Sequence, residues 1–299
     1  MAIYSIKDLE KLSGIKAHTI RIWEQRYNII QPGRTQTNIR YYTDTDLKLL
    51  LNIALLNKNG IKISKIAKMD DSEIMEKVAA ISEINFENDV QLDALTLSMI
   101  EMDEYKFDRI ISTNIEQLGF EKTMIEVIYP FLDKLGLLWL TGSINPVQEN
   151  FMSYLIRQKI ITAINNEPIV YGRETPKFII YLPEGENQEL SLLFMHYLIK
   201  TRRFKVTYIG KHISLSDLKD ACHIKSPDYI YTIISETFTK LSIKEYIATL
   251  KNTFPKVNLL LSGYQIVSQN ITSSENYTVL KNLAETIDFL NSLKRVYSN

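Results

Sequence analysis

The sequence predicts a multidomain chain of the α plus α/β kind: a winged helix-turn-helix at the N-terminus, a four-helix bundle in the middle and a doubly wound, flavodoxin-like parallel sheet at the C-terminus. Three observations carry that expectation. Two short amphipathic helical patterns lie either side of Ser13-Gly14 and run into a stretch rich in Arg and Tyr. Residues 88–168 repeat apolar side chains at the helical period. Beyond Pro176, short apolar runs alternate with helical patterns, as the strands and crossovers of a buried parallel sheet do.

The elements follow in order. Residues 5–12 (SIKDLEKL) form a helix with Ser5 as N-cap and Ile6, Leu9 and Leu12 at helical spacing. A second helix over about residues 16–27 sets Ile20, Trp23 and Tyr27 on one face and Arg21, Glu24 and Gln25 on the other, with Trp23 assigned to the core. The stretch QPGRTQTNIRYYT, residues 31–43, opens with Pro-Gly and ends in β-favouring residues, so it is read as a hairpin wing turning near residues 36–38. Residues 44–58 form a helix with Asp44 as N-cap and Gly60 at its end. Residues 61–68 add a short helix, and residues 73–87 are expected to be a charged linker.

In the middle segment, Leu92, Leu95, Met99 and Ile100 fit one amphipathic helix, and Phe107, Ile110, Ile111 and Ile115 a second that Gly119 ends. Met124, Val127, Ile128, Phe131, Leu132 and Leu135 fit a third, and Asn145-Pro146 caps and starts a fourth. Short connections between four such helices imply a bundle. In the last segment, strands are expected at residues 177–182, 205–209, 228–234 and 257–261, with a weak fifth at 277–280. Helices are expected at 188–201, 214–223, 240–253 and 283–294. The domains are thus residues 1–72, 88–170 and 176–299. Ligands of such sheets sit at the carboxyl ends of the strands.

Charge separates the head from the body. The chain is neutral overall, with 35 Lys+Arg and 35 Asp+Glu, yet residues 1–70 hold 12 basic side chains against 6 acidic ones. A basic head on an acidic body suits a polyanion partner for the head alone. No apolar run reaches the roughly eighteen residues of a membrane span, and the N-terminus lacks the basic start and apolar core of a secretory signal. One cysteine, Cys222, allows no internal disulfide and no thiolate zinc cluster. A cytoplasmic protein with no membrane partner is expected. The second helix offers His18, Thr19, Arg21, Gln25 and Arg26 for base edges and phosphates in a major groove, and the wing offers Arg34, Arg40 and Tyr41.

The string HTIRIWEQRYNIIQPGRTQTNIRYYTDTDL closely resembles the MerR family. The matching positions are Thr19, Ile20, Arg21, Trp23, Glu24, Arg26 and Tyr27, then Pro32 and Arg34, then Arg40, Tyr42 and Asp44. Asn28 and Asn38 stand where that family favours Gly, a mild departure because Asn tolerates left-handed backbone. The resemblance covers residues 3–68 and implies a transcriptional regulator binding promoter DNA as a dimer on an inverted repeat, with RNA polymerase nearby. The long C-terminal dimerisation helix of small family members is not evident, so the homo-oligomer is expected to be held partly by the body.

The order of head, bundle and α/β domain is similar to the light- and cobalamin-responsive MerR regulators of the CarH type, whose last domain is a B12-binding fold. In that group the bundle carries W-x9-E-H. Here Trp139 and Glu149 match, and Asn150 replaces the His. The loop after the first strand carries E/D-x-H-D-x-G there; here Glu186 begins it, Gln188 replaces the cobalt-ligating His, and Ser191 replaces the Gly. Ser235 and Thr237 fit the S-x-T segment after the third strand, and Gly263 fits one of two later glycines, with Ser262 at the other. A carboxamide is a poor substitute for an imidazole lone pair on cobalt. The expectation is therefore a B12-binding-like fold without His-ligated cobalamin. Cobalamin held without the lower ligand, or contacted from above by His196 or His212, stays open as the alternative. Glu184, Glu186 and Glu189 are read as solvated charges ahead of a helix rather than a metal site.

Three functions compete: a regulator whose body senses a small molecule or protein, a regulator whose body only dimerises, and a cobalamin enzyme fused to a DNA-binding head. No substrate-site constellation supports the third, and the chain is read as no enzyme.

Overall fold

In the computed structural model, residues 3–34, 38–84, 88–140, 144–171, 175–236, 242–275 and 277–297 are described. The chain divides into two compact units, Met1–Ile156 and Arg157–Asn299.

The first unit opens with β1 (Ile3–Tyr4) and α1 (Ile6–Ser13). Ser5 and Asp8 close a capping box on α1, and Gly14 ends it in the left-handed region at φ 70°. Next come α2 (Ala17–Tyr27), β2 (Gly33–Arg34), β3 (Arg40–Thr43) and α3 (Asp44–Lys58). Asn28 ends α2 at φ 53°, and Asn38 sits in the wing at φ 64°. Both asparagines thus adopt the left-handed backbone that glycine would take. The N-cap of α3 is Thr43, not Asp44: its hydroxyl accepts from the Asp46 amide while the Asp46 carboxylate reaches back. A hydroxyl one residue earlier than expected, three before an acid, completes the reciprocal pair. The wing is three-stranded, β1-β3-β2, because Ile3 and Tyr4 pair with Thr43 and Tyr42. Residues 36 and 37 of its expected turn lie outside the described residues.

After the one-turn helix α4 (Ile63–Ile66), the segment expected as a linker is instead α5 (Asp71–Ile84). Asp71, Glu73, Glu76 and Lys77 are exposed, while Ile74 and Val78 are buried as α5 packs along α3 and the bundle. The bundle comprises α6 (Asn88–Glu101), α7 (Glu104–Leu118), a run from α8 (Phe120–Thr123) to α9 (Tyr129–Leu140), and α10 (Pro146–Asn166). Between α8 and α9, residues Met124–Ile128 form a π-helical turn just ahead of Pro130. Pro130 has no N–H and its ring would press on the carbonyl of residue 126, so the turn widens. Asp93 of α6 is buried and shared by Lys58 of α3 and by Lys134 of α9, the latter at 3.1 Å.

The second unit carries the parallel sheet, with β4 (Lys177–Pro183), β5 (Lys205–Ile213), β6 (Tyr229–Ile233), β7 (Asn258–Ser262) and β8 (Tyr277–Val279). The order β5-β4-β6-β7-β8 is the flavodoxin-like one, with its switch point between β4 and β6. The crossovers are α11 (Glu189–Thr201), α12 (Leu215–Lys225), α13 (Ile243–Thr253) and the short α14 (Tyr264–Ser268); α15 (Leu283–Tyr297) closes the chain. Central β4 is covered on both faces, and residues 178–182 are all buried. β5 runs four residues past its expected end, because the register shift after Tyr208 lets Gly210 (φ 101°) and His212 (φ 59°) stay in the strand. Among the described residues, no helix is long and apolar enough to cross a membrane.

Candidate functional site

In the head, α2 exposes His18, Arg21 and Arg26 on one side of the helix, and the wing exposes Arg34. Thr19, next to the His18 ring at 3.3 Å, is half-buried. Arg34 is held by a 2.7 Å bond from its guanidinium to the Asn38 side-chain oxygen, which orients it on the wing. The guanidinium of Arg26 lies over the Tyr27 ring. Cations on a helix face and on a neighbouring projection can reach phosphates and base edges together, and that is the chemistry this surface offers.

Two members of the expected set have structural work as well. Tyr41 is half-buried and its ring lies across Gly33, its partner in the β2–β3 register; a Cβ on Gly33 would stand 2.3 Å from that ring. Arg40 directs its Nε to the Glu24 carboxylate at 3.4 Å. Glu24 is itself buried and accepts the Tyr42 hydroxyl. The sequence reading placed Glu24 on the outer face of α2, and this is corrected: it lies four residues after Ile20, one turn along the same inward stripe, where Tyr42 and Arg40 neutralise it. Burial, and then the Glu24 carboxylate, push the Tyr42 phenol well above its ordinary value. The triad ties α2 to the wing, so the spacing of Arg21 and Arg34 is fixed by residues other than those two.

In the second unit, the loops after β4, β6 and β7 meet at the switch point. Glu186 is fully buried there, which corrects its reading as a solvated charge. Its Oε1 accepts the backbone N–H of Ser235 at 2.6 Å and of Glu236 at 2.7 Å, while Oε2 is buried without a partner among the described residues. Burial raises its carboxyl above the usual range, and the two amides oppose that rise. The Ser235 hydroxyl accepts from the Tyr264 amide at 3.3 Å. Gly263 (φ 113°) leaves no room of its own, since a Cβ there would sit 2.4 Å from the Ile234 carbonyl oxygen. Glu186, Ser235 and Gly263 are thus brought together, but mutually engaged.

The other expected members of this site stand apart or are not described. Gln188 is exposed at the start of α11 and its side chain makes no capping bond; Ser191 is half-buried one turn on. Thr237 lies outside the described residues, as does the side chain of Trp139. In the first unit, Glu149 is half-buried and Asn150 exposed in the first turns of α10. Glu189 pairs with Arg157 at 2.9 Å and Lys211 at 3.5 Å. His196 stacks on Tyr208, and burial lowers its pKa to about 4. His212 is exposed on β5.

These residues do not fit a cobalamin ligated from below by the loop after β4. Residues 184–191 contain no imidazole, Glu186 is turned onto the end of β6, and the space at Gly263 is taken by backbone. Among the described residues, no cluster of three or more His, Cys, Asp or Glu could hold a metal ion.

The chain matches the family described as MerR HTH family regulatory protein over residues 4–73, and the family described as B12 binding domain over residues 91–162, which is the helical bundle. It is 25% identical over 259 residues to the HTH-type transcriptional repressor CarH of Myxococcus xanthus, covering 85% of this chain and 86% of that protein. The repressor CarA of the same organism is 24% identical over 229 residues, 75% of this chain and 74% of its own length. The HTH-type transcriptional regulator MlrA of Escherichia coli strain K12 is 32% identical over 73 residues, 24% of this chain and 30% of that protein.

Proposed function

We propose that this chain, a DNA-binding regulator of the MerR type with a CarH-like order of domains, grips promoter DNA through the exposed cations of α2 and the wing and controls transcription as a homo-oligomer. The carrying observation is that His18, Arg21 and Arg26 share the exposed side of α2 while Arg34 is oriented on the wing, with the Glu24–Tyr42–Arg40 triad holding the two together. Thr19, Arg40 and Tyr41 complete the surface. A dimer on an inverted repeat follows from one recognition helix per head. The relatives are named as repressors and regulators, so the chain is read as a regulator and not as an enzyme.

The body's role in this reading is to set head spacing and to receive a signal other than His-ligated cobalamin. The exposed amide of Gln188 and the inward-turned Glu186 favour this over a B12 photoreceptor. Two measurements test it. Arg21→Ala and Arg34→Ala should each weaken binding to a DNA site selected in vitro and lower the salt slope by about 1; wild-type affinity at every salt concentration would remove these residues from the interface. Incubation with adenosylcobalamin followed by gel filtration should leave the protein colourless. A stoichiometric red complex would overturn the second half.

A further inference from the structure

A half-open cavity of about 230 Å³ lies in the first unit, where α3 meets α5 and the bundle. Its walls are the buried side chains of Val78 on α5, Ala94 and Leu97 on α6, and Ile110 on α7. The head contributes Asn52 of α3, only 9% exposed. The Asn52 amide has no hydrogen-bond partner among the described residues, although it carries two donors and an acceptor oxygen. The mouth is framed by Met75 and Tyr105, both exposed.

Apolar walls with a few convergent polar groups are the ordinary make-up of a small-molecule site. Here Asp103, Lys106, Arg109 and Thr113 complete the lining, and the Asn52 amide stands beside the apolar walls.

We propose that this cavity binds a compact, uncharged aromatic or alicyclic molecule bearing one hydroxyl or carbonyl, which pairs with the Asn52 amide. Size sets the first part: a cavity of about 150 Å³ accepts benzene, so this one takes roughly a fused pair of rings. Charge sets the second: at the rim Lys106 is already paired with Glu101 and Asp103, which leaves no demand for an ionic ligand on that side. The site bears on the proposed function because α3 joins three things. It begins at the wing through Thr43, it lines the cavity through Asn52, and it ends at the Lys58–Asp93 pair with α6. A ligand there binds the α3–α6–α7 joint, and if it prefers one packing of that joint it shifts DNA affinity by the same factor that DNA shifts its own. This coupling rests on the head being the DNA-binding part; occupancy of the cavity does not.

The test uses the full chain and 2-naphthol as probe, with naphthalene as the partner lacking the hydroxyl. Equilibrium dialysis should give saturable one-to-one binding of 2-naphthol. Ala94→Phe, which fills the cavity, should abolish it; if that variant fails to fold, the smaller Ala94→Leu narrows the cavity and should weaken binding severalfold. Asn52→Leu should weaken 2-naphthol about tenfold and leave naphthalene unchanged. No saturable binding up to the solubility limit, or equal binding by wild type and the filled variants, would overturn the site. Saturating the protein should then change its affinity for an in-vitro-selected DNA site by at least threefold. Binding that leaves DNA affinity unchanged would overturn the coupling alone, and a protein that binds no DNA without the probe would instead overturn the proposed function.

Discussion

Replacing Tyr42 by Phe removes one oxygen from the centre of the head and keeps the ring that fills its core. Tyr42 is fully buried, and its hydroxyl donates to the carboxylate of Glu24, itself 9% exposed. Water is therefore poorly placed to replace the lost bond. Hydrogen bonds to charged groups contribute about 1.5–3 kcal/mol, and a buried carboxylate left short of a donor sits in the upper part of that range. Arg40 remains beside Glu24 and offsets part of the loss, so about 2 kcal/mol is expected. In a unit of this length that corresponds to a fall in Tm of about 4–8 °C. Urea denaturation followed by far-ultraviolet circular dichroism measures it, with the slope unchanged. Because the triad sets the wing against α2, DNA affinity should fall as well, although no cation is removed. A double-mutant cycle with Glu24→Gln isolates the pair, and a coupling of at least about 1 kcal/mol is expected. A loss below about 0.5 kcal/mol, or additivity of the two substitutions, would refute the triad.

Asp93→Asn should leave Lys58 and Lys134 without their shared charge and destabilise the first unit by about 1–3 kcal/mol in urea, the half-exposed lysines keeping it below a fully buried pair. Gly263→Ala should cost more than about 2 kcal/mol, because the backbone is left-handed and the new methyl meets the Ile234 carbonyl; wild-type denaturation would contradict that packing. His196 titrates near 6.5 when unfolded and near 4 in the fold, so its neutral ring contributes stability that is present above pH 6.5 and is lost as the pH falls toward 4. His196→Phe should flatten that limb of the stability curve, and equal limbs in the two proteins would mean the ring is not buried as described.

Much of this architecture is written locally. Ser5 and Gly14 bracket α1 within ten residues, Asn145-Pro146 starts α10, and five apolar runs mark the sheet, because caps and periodicity act between neighbours in the chain. The exposed cations of α2 were legible for the same reason: a helix face is a matter of spacing. Local codes misled where two segments compete. Residues 73–84 looked like a linker because the acidic run Asp70-Asp71-Ser72-Glu73 opens them, yet α3 and the bundle bury Ile74 and Val78 and make a helix of them.

The sequence by itself determined the order of domains, the basic second helix and wing, and the missing imidazole at Gln188. Only the tertiary structure decided which charges turn inward. Glu24 and Glu186 look like surface acids in one dimension, and each is buried because donors from far along the chain, Tyr42 in one case and the Ser235 and Glu236 amides in the other, arrive to receive it. The unpartnered Asn52 was beyond any local reading for the converse reason. Its environment is made by helices that begin nearly twenty to more than fifty residues later, and a polar side chain shows itself as facing a cavity only once the walls around it exist.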